Sequence, residues 1–231
     1  MKIQHKFIVF ATCIAVAGCS LLAPRPDSSK YFILTPLAGG VSTPTQVSPT
    51  ADSQLTIGLG PIDFPDYLRR LEVVTRAAPN QIYISEEQHW AEPLDKNFAR
   101  VLSEDLARLL KTQKIEKYPW PHRTQPDYQI AVDVERFETG TDNQSQLVAR
   151  WIIKDGNSKD LYASETRAST PVASGETGES AALSSDLATL SQAIATRVTL
   201  LNRQRTEKIN TATARKTPRF SRRHSVATVN D

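Results

Sequence analysis

Few residues in this chain could do chemistry. Of four histidines, His5 and His224 lie near the two ends, which leaves His89 and His122 in the body. His89 sits close in sequence to Glu86, Glu87 and Glu92, and such a group would suit a divalent metal or an acid–base pair. Asp63, Asp66 and Asp95 could supply paired carboxylates. Each of the three, however, adjoins a proline or the expected end of an element, where Asp caps backbone donors. Spacings like those around His89 also arise often by chance. No HExxH, GxSxG, phosphate-binding loop or CxxC occurs. The residues point away from an enzyme and assign no catalytic residue, no metal ligand and no bound cofactor. His89 reads as a surface histidine beside a strand end.

The chain has two cysteines, Cys13 and Cys19. Lys2 and Lys6 precede an apolar run, Phe7 to Val16, broken by Thr12, and the small residues Ala17-Gly18 then lead to Cys19. A charged start, a short apolar stretch and small residues form an export signal. The run is too short to stay as a membrane span, which needs roughly 20 apolar residues. The segment resembles the bacterial lipobox, which implies cleavage before Cys19 and lipid on its sulfur. Cys13 leaves with the signal, so Cys19 would otherwise be a lone thiol in an oxidising compartment, and acylation removes that liability. Each buried methylene contributes about 0.8 kcal/mol, so two or three acyl chains anchor stably where one does not. Ser20, rather than Asp, follows the cysteine. By the same resemblance this implies the outer membrane of a Gram-negative bacterium, with the protein lipid-anchored on its periplasmic face.

A chain of 231 residues suits one domain with a sizeable core. The reading divides it into a lipoprotein signal peptide (1–18), the lipidated Cys19 with a Pro- and Ser-rich tether (19–29), a folded body (30–203) and a basic tail (204–231). The formal charge is +3. Residues 204–231 hold seven Lys or Arg against Glu207 and Asp231, so the basic character belongs to the tail and nucleic acid is not an expected partner. The tail has no sustained apolar stripe and is expected to be disordered. It is either a solvated extension or a segment whose Arg219, Arg222 and Arg223 touch anionic head groups, at about 1 kcal/mol per charge.

Within the body, Lys30–Leu37 reads as a first strand, and the Gly-, Pro- and Ser-rich stretch 38–54 as a loop. Leu55–Pro61 alternates as a strand. Leu71–Arg76 and Gln81–Ser85 form a hairpin around Pro79-Asn80. From Pro93, placed at the first helical position, Leu94, Phe98, Val101, Leu102, Leu106, Leu109 and Leu110 recur at helical spacing. Lys114–Tyr118 is a short strand. Tyr128–Phe137, Leu147–Lys154 and Asp160–Ala168 form an antiparallel meander. Leu183, Leu187, Leu190, Ile194, Val198 and Leu201 then mark a second long helix over 180–201. This order predicts a single α+β domain, a mostly antiparallel sheet with two long helices packed on one face.

Two segments carry a family resemblance. Gly60-Pro61-Ile62-Asp63-Phe64-Pro65-Asp66-Tyr67-Leu68-Arg69-Arg70 with Glu72 to Arg76, and His89-Trp90-Ala91-Glu92-Pro93-Leu94, resemble the PqiC-type auxiliary lipoproteins of ABC transport systems over roughly residues 19–203. The resemblance implies a non-enzymatic subunit of a lipid-transport apparatus supporting envelope integrity. Its implied partners are a PqiB-like MCE protein forming a periplasmic tube and the associated inner-membrane component. A homo-oligomeric ring is a further implication. The 38–54 loop and the tail depart from the family pattern and take nothing from it. Phe64, Tyr67, Leu68, Arg69, Arg70 and Arg76 are the candidate partner-binding residues, because aromatic and Arg side chains are enriched in interface cores. The alternative is that Tyr67 and Leu68 pack under the sheet while the arginines form ordinary salt bridges. Trp90 reads as a core anchor. Two other functions stay open: a lipid-binding carrier, which needs a continuous apolar cavity, and a periplasmic hydrolase, which needs His89.

Overall fold

The structure is a computed structural model that describes residues 28–37, 55–121 and 124–216. Cys19, the signal, most of the tether, the 38–54 loop, His122 and the tail beyond Lys216 lie outside the described residues. The chain divides into two units at Lys30, and the second, Tyr31–Asp231, is the body. The body is the expected α+β domain. Its eight strands form one mixed sheet, mostly antiparallel, beside two long helices.

The strands are β1 (Lys30–Phe32), β2 (Ile57–Asp63), β3 (Glu72–Ala78), β4 (Gln81–Trp90), β5 (Ile115–Lys117), β6 (Tyr128–Gly140), β7 (Ser145–Asp155) and β8 (Asp160–Ala168). Their order is β1-β4-β3-β6-β2-β5, with β7 and then β8 joined to β6 on its remaining edge. The meander β6-β7-β8 is antiparallel throughout, with Ile130 opposite Ile153 and Trp151 opposite Ser164. β6 is the branch point. Its first half pairs in parallel with β2, and its end, Thr139 and Gly140, pairs in parallel with Thr75 and Arg76 of β3. Hairpin β3–β4 turns at Pro79-Asn80 as expected, but β4 runs on to Trp90. Between the pairs Val74–Ile84 and Glu72–His89, four β4 residues, Ser85 to Gln88, lie opposite Val73 alone in a wide bulge. The Ser85 hydroxyl caps that bulge by accepting the Glu87 and Gln88 N–H groups.

Helix α1 spans Leu94–Leu110. Pro93 is its cap rather than its first residue, since the Pro93 carbonyl accepts the Lys96 and Asn97 N–H groups. Lys111 ends it in a left-handed conformation (φ 53°), where its N–H and that of Thr112 reach back to the last turn, as a C-terminal cap requires. Helix α2 spans Gly178–Lys216, thirteen residues past the expected end of the body at Arg203. The sequence after Arg203 is rich in straight-chain residues and Ala, which favour helix without any apolar stripe, and its basic residues complement the helix dipole near the C-terminus. Arg205 ties the start of this extension to Asp127 at 2.8 Å.

The predicted stripes are buried except at Leu109, which is exposed, and Leu201, which is half-buried. Phe98, Val101, Leu102 and Leu106 of α1 and Leu187, Leu190, Ile194 and Val198 of α2 meet Ile57, Ile130, Leu147 and Ile153 of the sheet. Phe64, Phe98 and Phe137 form an edge-to-face trio with centroids 5.0–6.5 Å apart, an arrangement aromatic quadrupoles favour. The first strand is shorter than expected. After Phe32 the chain leaves the sheet, because Pro36 has no N–H to give a ladder, and Leu34 enters the core. The Thr35 N–H instead bonds the Ser184 hydroxyl and the Leu37 N–H bonds Asp105. Among the described residues no helix is long and apolar enough to cross a membrane.

Candidate functional site

The turn after β2 is built from within. Asp66–Leu68 is one turn of 3₁₀-helix, with the Leu68 N–H on the Pro65 carbonyl and the Arg69 N–H on the Asp66 carbonyl. Phe64 and Leu68 point inward and are buried at 5% and 2% exposure. They are core residues of this chain, and their side chains do not reach the surface. Tyr67 and Arg76 meet at one carboxylate, Glu138 on β6, which is itself 1% exposed. Glu138 Oε1 accepts Arg76 Nε at 2.7 Å and Arg136 Nε at 3.0 Å; Oε2 accepts the Tyr67 hydroxyl at 3.0 Å and the Phe137 N–H at 2.9 Å. Arg76 also donates to the Tyr67 oxygen and to the Pro79 carbonyl. Burial, with the negative Glu138 alongside, pushes the Tyr67 hydroxyl up to about 12.

This network joins the end of β6, the β3–β4 hairpin and the 3₁₀ turn. A cleft of about 500 Å³ opens beside it, between Arg76, Pro79, Arg136, Thr141 and Asp142. Arg69 stands on the outer side of the turn, and its one ion pair is a 3.9 Å contact with the exposed Asp66. Arg70 is partly buried, with its Nε buried and without a hydrogen-bond partner. The six candidates thus separate into core (Phe64, Leu68), a polar joint on the buried Glu138 (Tyr67, Arg76), the exposed Arg69 and the half-buried Arg70.

The other acids do not converge on chemistry. His89 lies in β4 with its ring 5.6 Å from Tyr31, Glu92 pairs with Arg100, and Asp95 contacts Lys96. Among the described residues no group of three His, Cys, Asp or Glu could hold a metal ion. Trp90 is buried in the core.

Two further carboxylates escaped the sequence reading. Asp105 on α1 accepts the Leu37 N–H at 2.8 Å and the Ser191 hydroxyl of α2 at 3.0 Å. Asp186 on α2 accepts the Ser145 hydroxyl at 2.7 Å and the Thr170 hydroxyl at 2.6 Å. Burial raises both above the usual aspartate range, against the opposing effect of those hydrogen bonds. The available signal was helical position. Asp105 falls between Leu102 and Leu106 on the apolar stripe, and Asp186 directly precedes Leu187.

Two long helices beside one mixed sheet of eight strands define the class of fold among the described residues. The model of the ABC-type transport auxiliary lipoprotein component family matches residues 40–195. That is well over half of the chain, and the protein belongs to this family, the one its motifs resemble. No curated protein matches the sequence. Two solved structures share the fold. One, an uncharacterized protein, is 18% identical, with 74% of this chain and 98% of that one covered and a TM-score of 0.59. The other, a Xanthomonas campestris protein of the DUF330 family, is 14% identical, with 77% and 99% covered and a TM-score of 0.58.

Proposed function

We propose that this auxiliary transport subunit is an outer-membrane lipoprotein, acylated at Cys19, that docks a PqiB-like MCE tube in a lipid-transport system supporting envelope integrity. The observation that supports docking is the rigid mounting of the Asp66–Leu68 turn. Leu68 is sunk in the core and Tyr67 is bolted to Glu138, so the exposed Arg69 is carried on a fixed base beside the half-buried Arg70. Preorganised arginines lose little freedom on binding, which suits an interface. Carriage of a lipid inside the body is less well supported. The space between the helices and the sheet is filled by Phe64, Phe98, Phe137 and the surrounding leucines, and a carrier needs that space open. Hydrolysis would require partners that His89 lacks in β4.

The test is co-purification of the full chain with its MCE component. Arg69→Glu with Arg70→Glu should lower recovery about tenfold, equivalent to about 1.4 kcal/mol, with an unchanged melting temperature. Equal recovery by wild type and variant would sink the docking assignment. Failure of Cys19 to incorporate radioactive palmitate would sink the anchor.

A further inference from the structure

Ten large apolar side chains are well exposed among the described residues, and five of them gather on one margin of the sheet. Tyr31 and Ile33 lie on and just after β1, Tyr83 and Ile84 on β4, and Leu71 immediately before β3. Tyr31, Ile33 and Leu71 meet at the end of β4, and Tyr83 and Ile84 lie farther along that strand, on its two faces. The Leu71 carbonyl accepts the Trp90 N–H at 2.6 Å, the Ala91 N–H reaches the Phe32 carbonyl at 2.8 Å, and the Tyr31 ring lies against His89. Tyr83 and Ile84 sit opposite Thr75 and Val74. Tyr31 and Tyr83 are the most exposed of the ten, at 66% and 59%.

We propose that this margin, Tyr31, Ile33, Leu71, Tyr83 and Ile84, rests on the lipid leaflet that holds the anchor; the inference builds on acylation of Cys19. Chain length argues for that occupant. Twelve residue steps separate Cys19 from Tyr31, which at about 3.3 Å each reach at most about 40 Å. The margin carries the first residue of the body and so lies within that reach of the anchor. A short tether makes contact intramolecular, at an effective concentration of order mM, so weak insertion is enough. Tyrosine suits the task, because its ring partitions to the head-group level with the hydroxyl wet. The charges nearby are mixed, Lys30, Arg69 and Arg70 against Glu72, Glu86 and Glu87. Neither sign dominates, so the contact is apolar and suits a zwitterionic leaflet rather than a polybasic attraction to anionic lipid. The far margin is of another kind. There Arg150 pairs with Glu135 and Glu165, and Arg167 with Glu165, across β6, β7 and β8.

The test uses the mature lipoprotein in phosphatidylethanolamine-rich vesicles that contain doxyl-labelled lipid. A fluorophore is attached at one introduced thiol, Ile33→Cys, Tyr83→Cys or, on the far margin, Arg167→Cys. Quenching about threefold stronger at 33 and 83 than at 167, and unchanged by salt, is the expected result for side chains seated at the lipid interface. Retention on vesicles with equal, weak quenching at all three positions overturns the inference while leaving the anchor standing. Pyrene excimers between copies labelled at 83, without lipid quenching, identify a copy interface and overturn it too. Protein that is not retained fails the anchor reading, and the inference fails with it.

Discussion

Glu138 and the pair Asp105 and Asp186 are all buried carboxylates, yet the body treats them in opposite ways. Glu138 at the sheet end meets two guanidiniums, a phenol and a backbone N–H. Asp105 and Asp186, between the helices and their neighbours, accept bonds from hydroxyls and one backbone N–H, with the opposed charges of Arg108 and Glu104 acting on Asp105 without a hydrogen bond. The first arrangement balances charge and joins three elements at one point. The second satisfies hydrogen bonds but leaves a net charge in a dry place, which burial resists by raising the pKa. The sheet end is thus built for a fixed geometry, and the helix layer accepts a penalty to hold segment 34–37 and the loop after β8.

Removing Glu138 should have the largest effect. Glu138→Ala leaves Arg76 and Arg136 facing each other without their counter-ion. Loss of one partner of a buried ion pair costs about 3–5 kcal/mol, and partial exposure of the two arginines puts the expected cost near about 3 kcal/mol. Urea unfolding measures it, and a loss below about 1 kcal/mol, no more than an ordinary net hydrogen bond, would break the contrast. Asp186→Ala comes next. It strips the acceptor from Ser145 and Thr170, and an unsatisfied buried polar group costs about 1–3 kcal/mol. Asp105→Ala should fall in the same range and should also speed hydrogen exchange at Leu37.

The two cases differ in legibility as well. Both helical stripes, the β3–β4 hairpin and the β6–β8 meander could be read because burial there follows a period of 3.6 or 2. The double parallel pairing of β2 could not, since no local pattern distinguishes a parallel neighbour from an antiparallel one. Glu138 was invisible for a related reason. The bulge between Val134 and Arg136 shifts the alternation, so that Phe137, Glu138 and Thr139 are all buried, and a strand expected to end at Phe137 gave no cause to look further. Tyr67 and Arg76 could be picked out as unusual, but not their shared partner 62 residues beyond Arg76. For Phe64 the residue type was noticed and its direction was not, and for Leu68 inward packing stood as one of two alternatives, because a 3₁₀ turn of three residues shows no period.

The pH dependence sharpens the comparison at smaller amplitude. Asp105 and Asp186 bind protons more readily folded than unfolded, where aspartate titrates near about 3.9. Their favourable contribution is therefore full below that value and is lost as pH rises through the raised folded pKa. Asp105→Asn with Asp186→Asn should flatten the slope of stability against pH above about 4. An unchanged slope would remove the physical distinction drawn between these acids and Glu138.

Tyr67 gives the finest test, at the opposite end of the scale. Its hydroxyl donates to a carboxylate that is already balanced by two arginines, so ionising it would place a second negative charge against Glu138. An unfolded tyrosine titrates near about 10, and the folded one is held up to about 12. Stability from this group is present below the unfolded value and lost as pH climbs from there through the folded one. Ultraviolet titration of the folded protein should show Tyr67 as a late-ionising phenol, near about 12. Tyr128, whose buried hydroxyl is also raised, should be late as well, so the assignment rests on Tyr67→Phe, which should delete one late proton and leave the other. If that variant instead deleted an early proton, Glu138 would not be holding the phenol, and the turn beneath Arg69 would have lost the fastening that makes it rigid.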